Sequence, residues 1–227
     1  MNHSMNLIYG PHLVEEAVFL AQHDSPLSAE LQEQRNRLYE IADAGERERR
    51  FSELNRSWFH RLGLGKVIEQ SLQEQPLIAA HVERGYVVGA TQAKEEGAEL
   101  FVAPEDIENG HGRRTLRLLL RPESLLNDES LRPFLRHELF HISDMLDPAF
   151  AYEPTLPKAE GGPTYDTLIT NRYRVLWDVT IAGRMARHGW CAATVRDQEL
   201  QDFRHTFPML DGESDEFFKG FFDAAKP

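Results

Sequence analysis

His137, Glu138 and His141 are the residues of this 227-residue chain whose types and spacing best suit chemistry. They lie in the run Arg136-His137-Glu138-Leu139-Phe140-His141-Ile142-Ser143-Asp144. An α-helix turns about 100° per residue, so residues four apart share one face, one turn apart. Two imidazoles at that spacing can both reach one metal ion. Glu138 projects about 100° away from His137, where its carboxylate can take a proton from a metal-bound water without binding the metal itself.

This chemistry needs a helix, and the flanking residues supply its pattern. Leu131, Leu135, Leu139, Ile142 and Leu146 recur at helical spacing and form an apolar stripe. Asn127, Asp128 and Ser130 are candidate N-caps, and Pro133 is expected in the first turn. Asp147-Pro148 is the expected stop. Leu135 and Leu139 point roughly 160° away from the face of His137, His141 and Asp144, so one side packs on a core and the other faces a cleft. The plainer alternative is the solvent face of an ordinary amphipathic helix. Such faces carry Lys, Glu or Gln more often than two histidines and an aspartate.

His-Glu-x-x-His at residues 137–141 resembles the active-site helix of the zincins, the superfamily of zinc metallopeptidases that share this motif. The resemblance covers a short part of the chain, and the order of elements around it extends the likeness. It implies an α+β fold in which a small twisted mixed sheet backs the active-site helix and an edge strand lines the substrate cleft. It also implies bound zinc, Glu138 as general base, and a peptide or protein substrate. Two other readings stay open: a zincin-like zinc-binding or regulatory protein that no longer cleaves, and a helical protein with a chance motif.

Composition narrows the class. The net charge of −12 argues against nucleic acid as a main partner, because phosphate repels an acidic surface. No apolar run approaches 18 residues, so no membrane span is expected. Met1-Asn2-His3-Ser4-Met5-Asn6 lacks a basic start and a long apolar stretch, so a cytoplasmic location is expected. Cys191 is the single cysteine, which excludes an intramolecular disulfide and suits a reducing compartment. It reads as a packed side chain rather than a nucleophile.

The expected organisation is a helical N-terminal segment over residues 1–75 and a zincin-like metallopeptidase domain over 76–227, or one domain overall. Stripes through Leu13, Ala17 and Leu20, through Leu31, Leu38 and Ile41, and through Phe51, Leu54, Trp58 and Leu62 predict helices. The Glu46-Arg47-Glu48-Arg49-Arg50 run reads as a solvated helix face, and Ser25-Pro26-Leu27-Ser28 as a break. Short apolar runs at 77–80, 86–89, 99–103 and 116–120 predict strands, with Arg84-Gly85 as a tight turn. The run ending in Arg121-Pro122 is the candidate edge strand. Residues 148–164, rich in Pro and Gly, predict a long loop. A helix from about Tyr165 to His188, ended by Gly189, follows it. Phe203, Phe207, Phe217, Phe218, Phe221 and Phe222 read as aromatic packing in a C-terminal helical part.

A catalytic zinc usually takes three protein ligands. Asp147 holds the third-ligand position of the metzincin subclass, but Asp144 stands where that pattern needs Gly for a sharp turn. In the gluzincin arrangement the third ligand is an acid on a later helix. Asp178 fits that role, because it shares a helical face with Val175, Ile181, Ala182 and Met185. A lone carboxylate there is costly unless paired or metal-bound. The competing reading pairs it with Arg174 or Arg184. Glu160 has a thermolysin-like spacing but falls in the Pro/Gly loop. Asp144 is either an acceptor for a ligand imidazole or a surface acid. Tyr173, Arg174 and His188 are the candidate oxyanion donors.

Overall fold

A computed structural model describes residues 5–22, 28–102, 114–158 and 160–224. The expected break at Ser25-Pro26-Leu27 lies outside the described residues, as does residue 103 at the end of an expected strand. The stretch predicted to be helical holds α1 (Pro11–Ala21), α2 (Ser28–Leu38), α3 (Ala44–Leu62) and α4 (Lys66–Gln73). The boundaries of α3 follow from its ends. The Asp43 carboxylate accepts the Glu46 N–H at 2.7 Å, and Gly63 at φ +73° closes the helix in the left-handed region. The mixed-charge run is the solvated face expected of it, with Glu46 and Glu53 pairing with Arg49 and Arg50 at the surface.

The sheet differs from the expected one in three ways. Residues 77–80 are not a strand but lie in α5 (Pro76–His81). Pro76 pre-sets the first helical turn, and a short apolar run is compatible with helix or strand until its neighbours decide. Arg84-Gly85 is not a turn either. It lies inside β2 (Val82–Gly89), which pairs in parallel with β1 (Asn6–Tyr9), a four-residue strand within the segment expected to be all helical. Third, the strand over Arg114–Leu120, β4, is not an edge. The order is β1-β2-β4-β3, and β4 is parallel to β2 and antiparallel to β3 (Gly97–Val102). Pro122 falls in the 3-10 turn after β4, so it costs the sheet no hydrogen bond. The antiparallel edge is β3.

The nine α-helices among the described residues and this four-stranded mixed sheet make an α+β protein. The chain divides into two compact units, Met1–Leu146 and Asp147–Pro227. The boundary expected near residue 75 falls within the first unit, whose sheet draws on both sides of it. The first unit closes its core with Leu13, Ala17 and Val18 of α1, Phe59 of α3, Ile68 of α4, and Leu116, Leu118 and Leu120 of β4. The helix α6 (Asp128–Leu146) adds Leu131, Leu135, Leu139, Ile142 and Leu146, the stripe read from the sequence, and all five are buried. It starts at Asp128 with the Asn127 carboxamide accepting the Ser130 N–H at 3.1 Å, so Pro133 sits one turn deeper than expected.

The second unit carries α7 (Pro163–Arg187), α8 (Val195–Thr206) and α9 (Ser214–Phe222). Its core is Val179, Ala182, Phe203, Phe218 and Phe222, with Phe207 and Phe221 packed against it as expected, whereas Phe217 is exposed. Gly183 permits it: a Cβ there would lie 2.0 Å from the Phe222 carbonyl oxygen, so only glycine lets α9 approach α7 so closely. Gly189 at φ +68° follows the end of α7. No described helix is long and apolar enough to cross a membrane.

Candidate metal centre

The helix α6 is held by polar ties as well as by its apolar stripe. Arg136 makes two hydrogen bonds to the Glu74 carboxylate, at 2.7 and 2.6 Å, in largely buried surroundings. The Ser143 hydroxyl donates to the Gln75 side-chain oxygen at 2.7 Å, both groups buried. Arg132 donates to Gln70 at 2.8 Å. These contacts join α6 to α4 and the turn after it across more than sixty positions of sequence, and nothing in the local pattern announces them. Bidentate Arg–carboxylate pairs fix orientation as well as distance. The helix that carries the motif is thus set in both position and rotation.

On that helix, His137 and His141 face one another with ring centroids 4.9 Å apart and planes at 76°. Their ligand nitrogens lie within 4.8 Å of each other. Both rings are half-buried, so they are neither loose surface groups nor sealed in the core. Two imidazole nitrogens so placed are a donor pair that could share a metal ion. Such donors suit several divalent transition metals.

Glu138 is placed by two contacts. The Ala98 N–H on β3 donates to its Oε2 at 3.1 Å, and the His137 Nδ1 lies 3.3 Å from its Oε1. Gly97 makes room for this carboxylate, since a Cβ there would stand 3.3 Å from Oε2. Burial by itself would raise the Glu138 pKa. The hydrogen bonds from His137 and Ala98 and the charges of both histidines outweigh it, and the carboxyl is held below its ordinary value. Glu138 is therefore ionised at neutral pH, the form that can accept a proton.

The strand that supplies the Ala98 N–H is itself pinned by Glu96. The Glu96 carboxylate accepts the Arg121 N–H at 2.9 Å, the Arg121 Nε–H at 3.0 Å and the Ser124 hydroxyl at 2.6 Å. Sequence reading singled out neither Glu96 nor Ala98. A backbone donor has no sequence signature, and the partners of Glu96 lie 25 and 28 residues away.

The remaining candidates separate by their surroundings. Asp178, on α7, keeps a quarter of its side chain exposed. Arg174, whose side chain is 80% exposed, lies 3.8 Å from the Asp178 carboxylate. The Arg174 contact is a loose surface pair. Asp147 follows the end of α6, and its carboxylate accepts the Ala149 N–H at 2.8 Å, an ordinary turn contact. Glu160 is exposed in the loop before α7. Asp144 is 4% exposed, which removes its reading as a surface acid. Of the oxyanion candidates, Tyr173 packs edge-on against Trp177, Arg174 is the exposed partner of Asp178, and His188 stacks on Trp190 at 4.4 Å just past α7.

No protein-family model, curated protein or solved structure matches this chain.

Proposed function

We propose that the protein is a zinc-dependent metallopeptidase of the zincin type, with His137, His141 and Asp178 as metal ligands and Glu138 as general base. The observation that carries this reading is the arrangement on α6. Two half-buried imidazoles stand one turn apart, and an ionised carboxylate between them is held at the edge of a sheet. An ordinary solvent-facing helix has no reason to bury a glutamate against a strand backbone.

The donor chemistry fits zinc, since two imidazoles and a carboxylate are a known catalytic set for that ion. The His137 Nδ1 faces Glu138, so Nε2 is the nitrogen assigned to the metal. When bound, zinc would supply Lewis acidity that draws the pKa of water from ~15.7 toward ~7. Glu138 would accept a proton from the attacking water and return it to the leaving amine. Asp178 would stand where the gluzincin pattern has a glutamate, whose side chain is one methylene longer.

Substrate capture falls to β3. Its outer edge carries the Ala98 N–H, and an extended peptide added to that edge would take such donors through its own carbonyls. Glu138 now occupies the Ala98 N–H. A peptide strand that claims this donor would free the carboxylate for its work as a base. The same contact favours a second reading, a zincin-like zinc-binding protein in which Glu138 stays tied to β3 and nothing is cleaved.

The two readings part in one experiment. Wild type and Glu138→Gln are compared for zinc content and for hydrolysis of a broad peptide library. A peptidase keeps its zinc in the variant and loses turnover by about 10²–10⁴-fold. Zinc without turnover in the wild type selects the silent binder, and full activity in the variant removes Glu138 from the mechanism.

A further inference from the structure

A cavity of about 630 Å³ lies beside the junction of β1 and α1, walled on one side by the first turn of α1 and on the other by α3. None of the proposed metal ligands lines it. Its volume falls in the range of about 300–1,000 Å³ typical of small-molecule sites.

Three features define what it would bind. First, α1 begins at Gly10 with no side-chain cap and no acid in its first turn. Pro11 has no N–H and the Gly10 N–H bonds the Val87 carbonyl, so this start presents the His12 and Leu13 N–H donors and partial positive charge to an anion. Second, Asn55 on α3 lines the cavity while only 3% exposed, and its Oδ1 is buried without a hydrogen-bond partner. Tyr9, at the end of β1, also lines the cavity; the residue is partly buried and its hydroxyl oxygen has no hydrogen-bond partner. Polar groups buried in this way call for a partner. Third, the charged lining is balanced: Arg47 and Arg56 face Glu15 and Glu48. Arg47 donates to the Ile41 carbonyl oxygen at 3.0 Å, so Arg56 is the less committed cation.

A simple anion would suit the helix start and Arg56 but meet Glu15, Glu48 and the Asn55 oxygen. A simple cation would suffer the reverse. A ligand of both signs satisfies the whole wall. We propose that this cavity binds a small zwitterion bearing an ammonium and a carboxylate, that is, a free α-amino acid or a short peptide. The carboxylate sits at the start of α1 beside Arg56, and the ammonium faces Glu15, Glu48 and the Asn55 Oδ1. Phe51 and Val14 supply apolar contact for a side chain.

Ligand-observed NMR on the full-length protein tests this. The probes are the standard amino acids, each free and as its glycyl dipeptide. Controls are the amide of each hit, which lacks the carboxylate, its deamino acid, which lacks the ammonium, and inorganic phosphate. Binding of a free amino acid or of a dipeptide is expected, and which of the two binds identifies the source. Arg56→Glu and Glu15→Lys, both at exposed positions, should each weaken it by about tenfold or more, as should loss of either charge from the ligand. Binding should persist in His137→Ala/His141→Ala, which separates this cavity from the histidine pair. The proposal fails if no zwitterion binds, if phosphate or a singly charged control binds as well, or if the Arg56 and Glu15 variants bind like wild type. It also fails if the histidine variant abolishes binding.

Discussion

The two long helices that carry the proposed ligands are anchored in different ways. In α6 the buried residues run from Leu131 to Leu146, so the helix is gripped along its length, and Arg136 and Ser143 add polar ties. In α7 every buried residue, from Val179 to Met185, follows Asp178. The upstream half exposes Tyr165, Leu168 and Ile169. The histidine pair therefore rides on a helix fixed from both ends. Just upstream of Asp178, Val175 and Leu176 pack against the core only partly buried. Two donors lie on a helix buried along its length, and the third lies where full burial of its helix begins.

Metal affinity should show this contrast most strongly. His137→Ala removes a preset donor and should weaken zinc binding by more than the ~100-fold that loss of an outer partner of a metal site can cause. Asp178→Ala should also weaken it, but less, because two preset imidazoles remain. Competition against a chromophoric chelator measures both. Equal affinity in Asp178→Ala and wild type would remove Asp178 from the site.

Stability comes next. Leu139 is fully buried in the α6 stripe, and Leu139→Ala should cost about 2–5 kcal/mol. Leu168, 39% exposed on the upstream half of α7, should cost within about 0.5 kcal/mol when cut to Ala. Urea denaturation compares the two. A large loss for Leu168→Ala would mean that the upstream half is gripped after all.

The smallest effect concerns Glu96, which pins β3 beside Glu138. Burial would raise its pKa, but the bonds from Ser124 and Arg121 and the charge of Arg121 lower it on balance. A carboxyl with a lowered folded pKa stabilises the protein above the ordinary carboxylate range, and that contribution fades as pH falls through the lowered value. Glu96→Gln should thus be less stable than wild type at neutral pH, and the gap should narrow in acid. Urea midpoints across pH read this directly, and a gap that stays constant would contradict it.

The same contrast explains what could be read in advance. The α6 stripe repeats at a period set within a few residues, so the helix, its buried side and the His137, Glu138 and His141 arrangement were legible. Asp178 stood out because a carboxylate among apolar neighbours needs a reason. The sheet was less legible. β1 is only four residues long, α5 matches a short strand in composition, and the choice of β3 over β4 as edge depends on which strands pair at long range. The contacts that set the site, Glu74 with Arg136, Gln75 with Ser143 and Ala98 with Glu138, join residues 40 to 68 positions apart. No local period encodes them.

X-ray absorption at the zinc edge, on protein loaded with one equivalent of zinc, bears most directly on the metal centre. Nitrogen and oxygen scatterers at about 2.0–2.2 Å are expected. The outer-shell signal should be that of two imidazoles, falling to one in either His137→Ala or His141→Ala, while Asp178→Ala leaves both imidazoles and changes the oxygen shell. A chain that retains no zinc, a sulfur scatterer from Cys191, or an imidazole signal indifferent to both histidine substitutions would contradict the assignment.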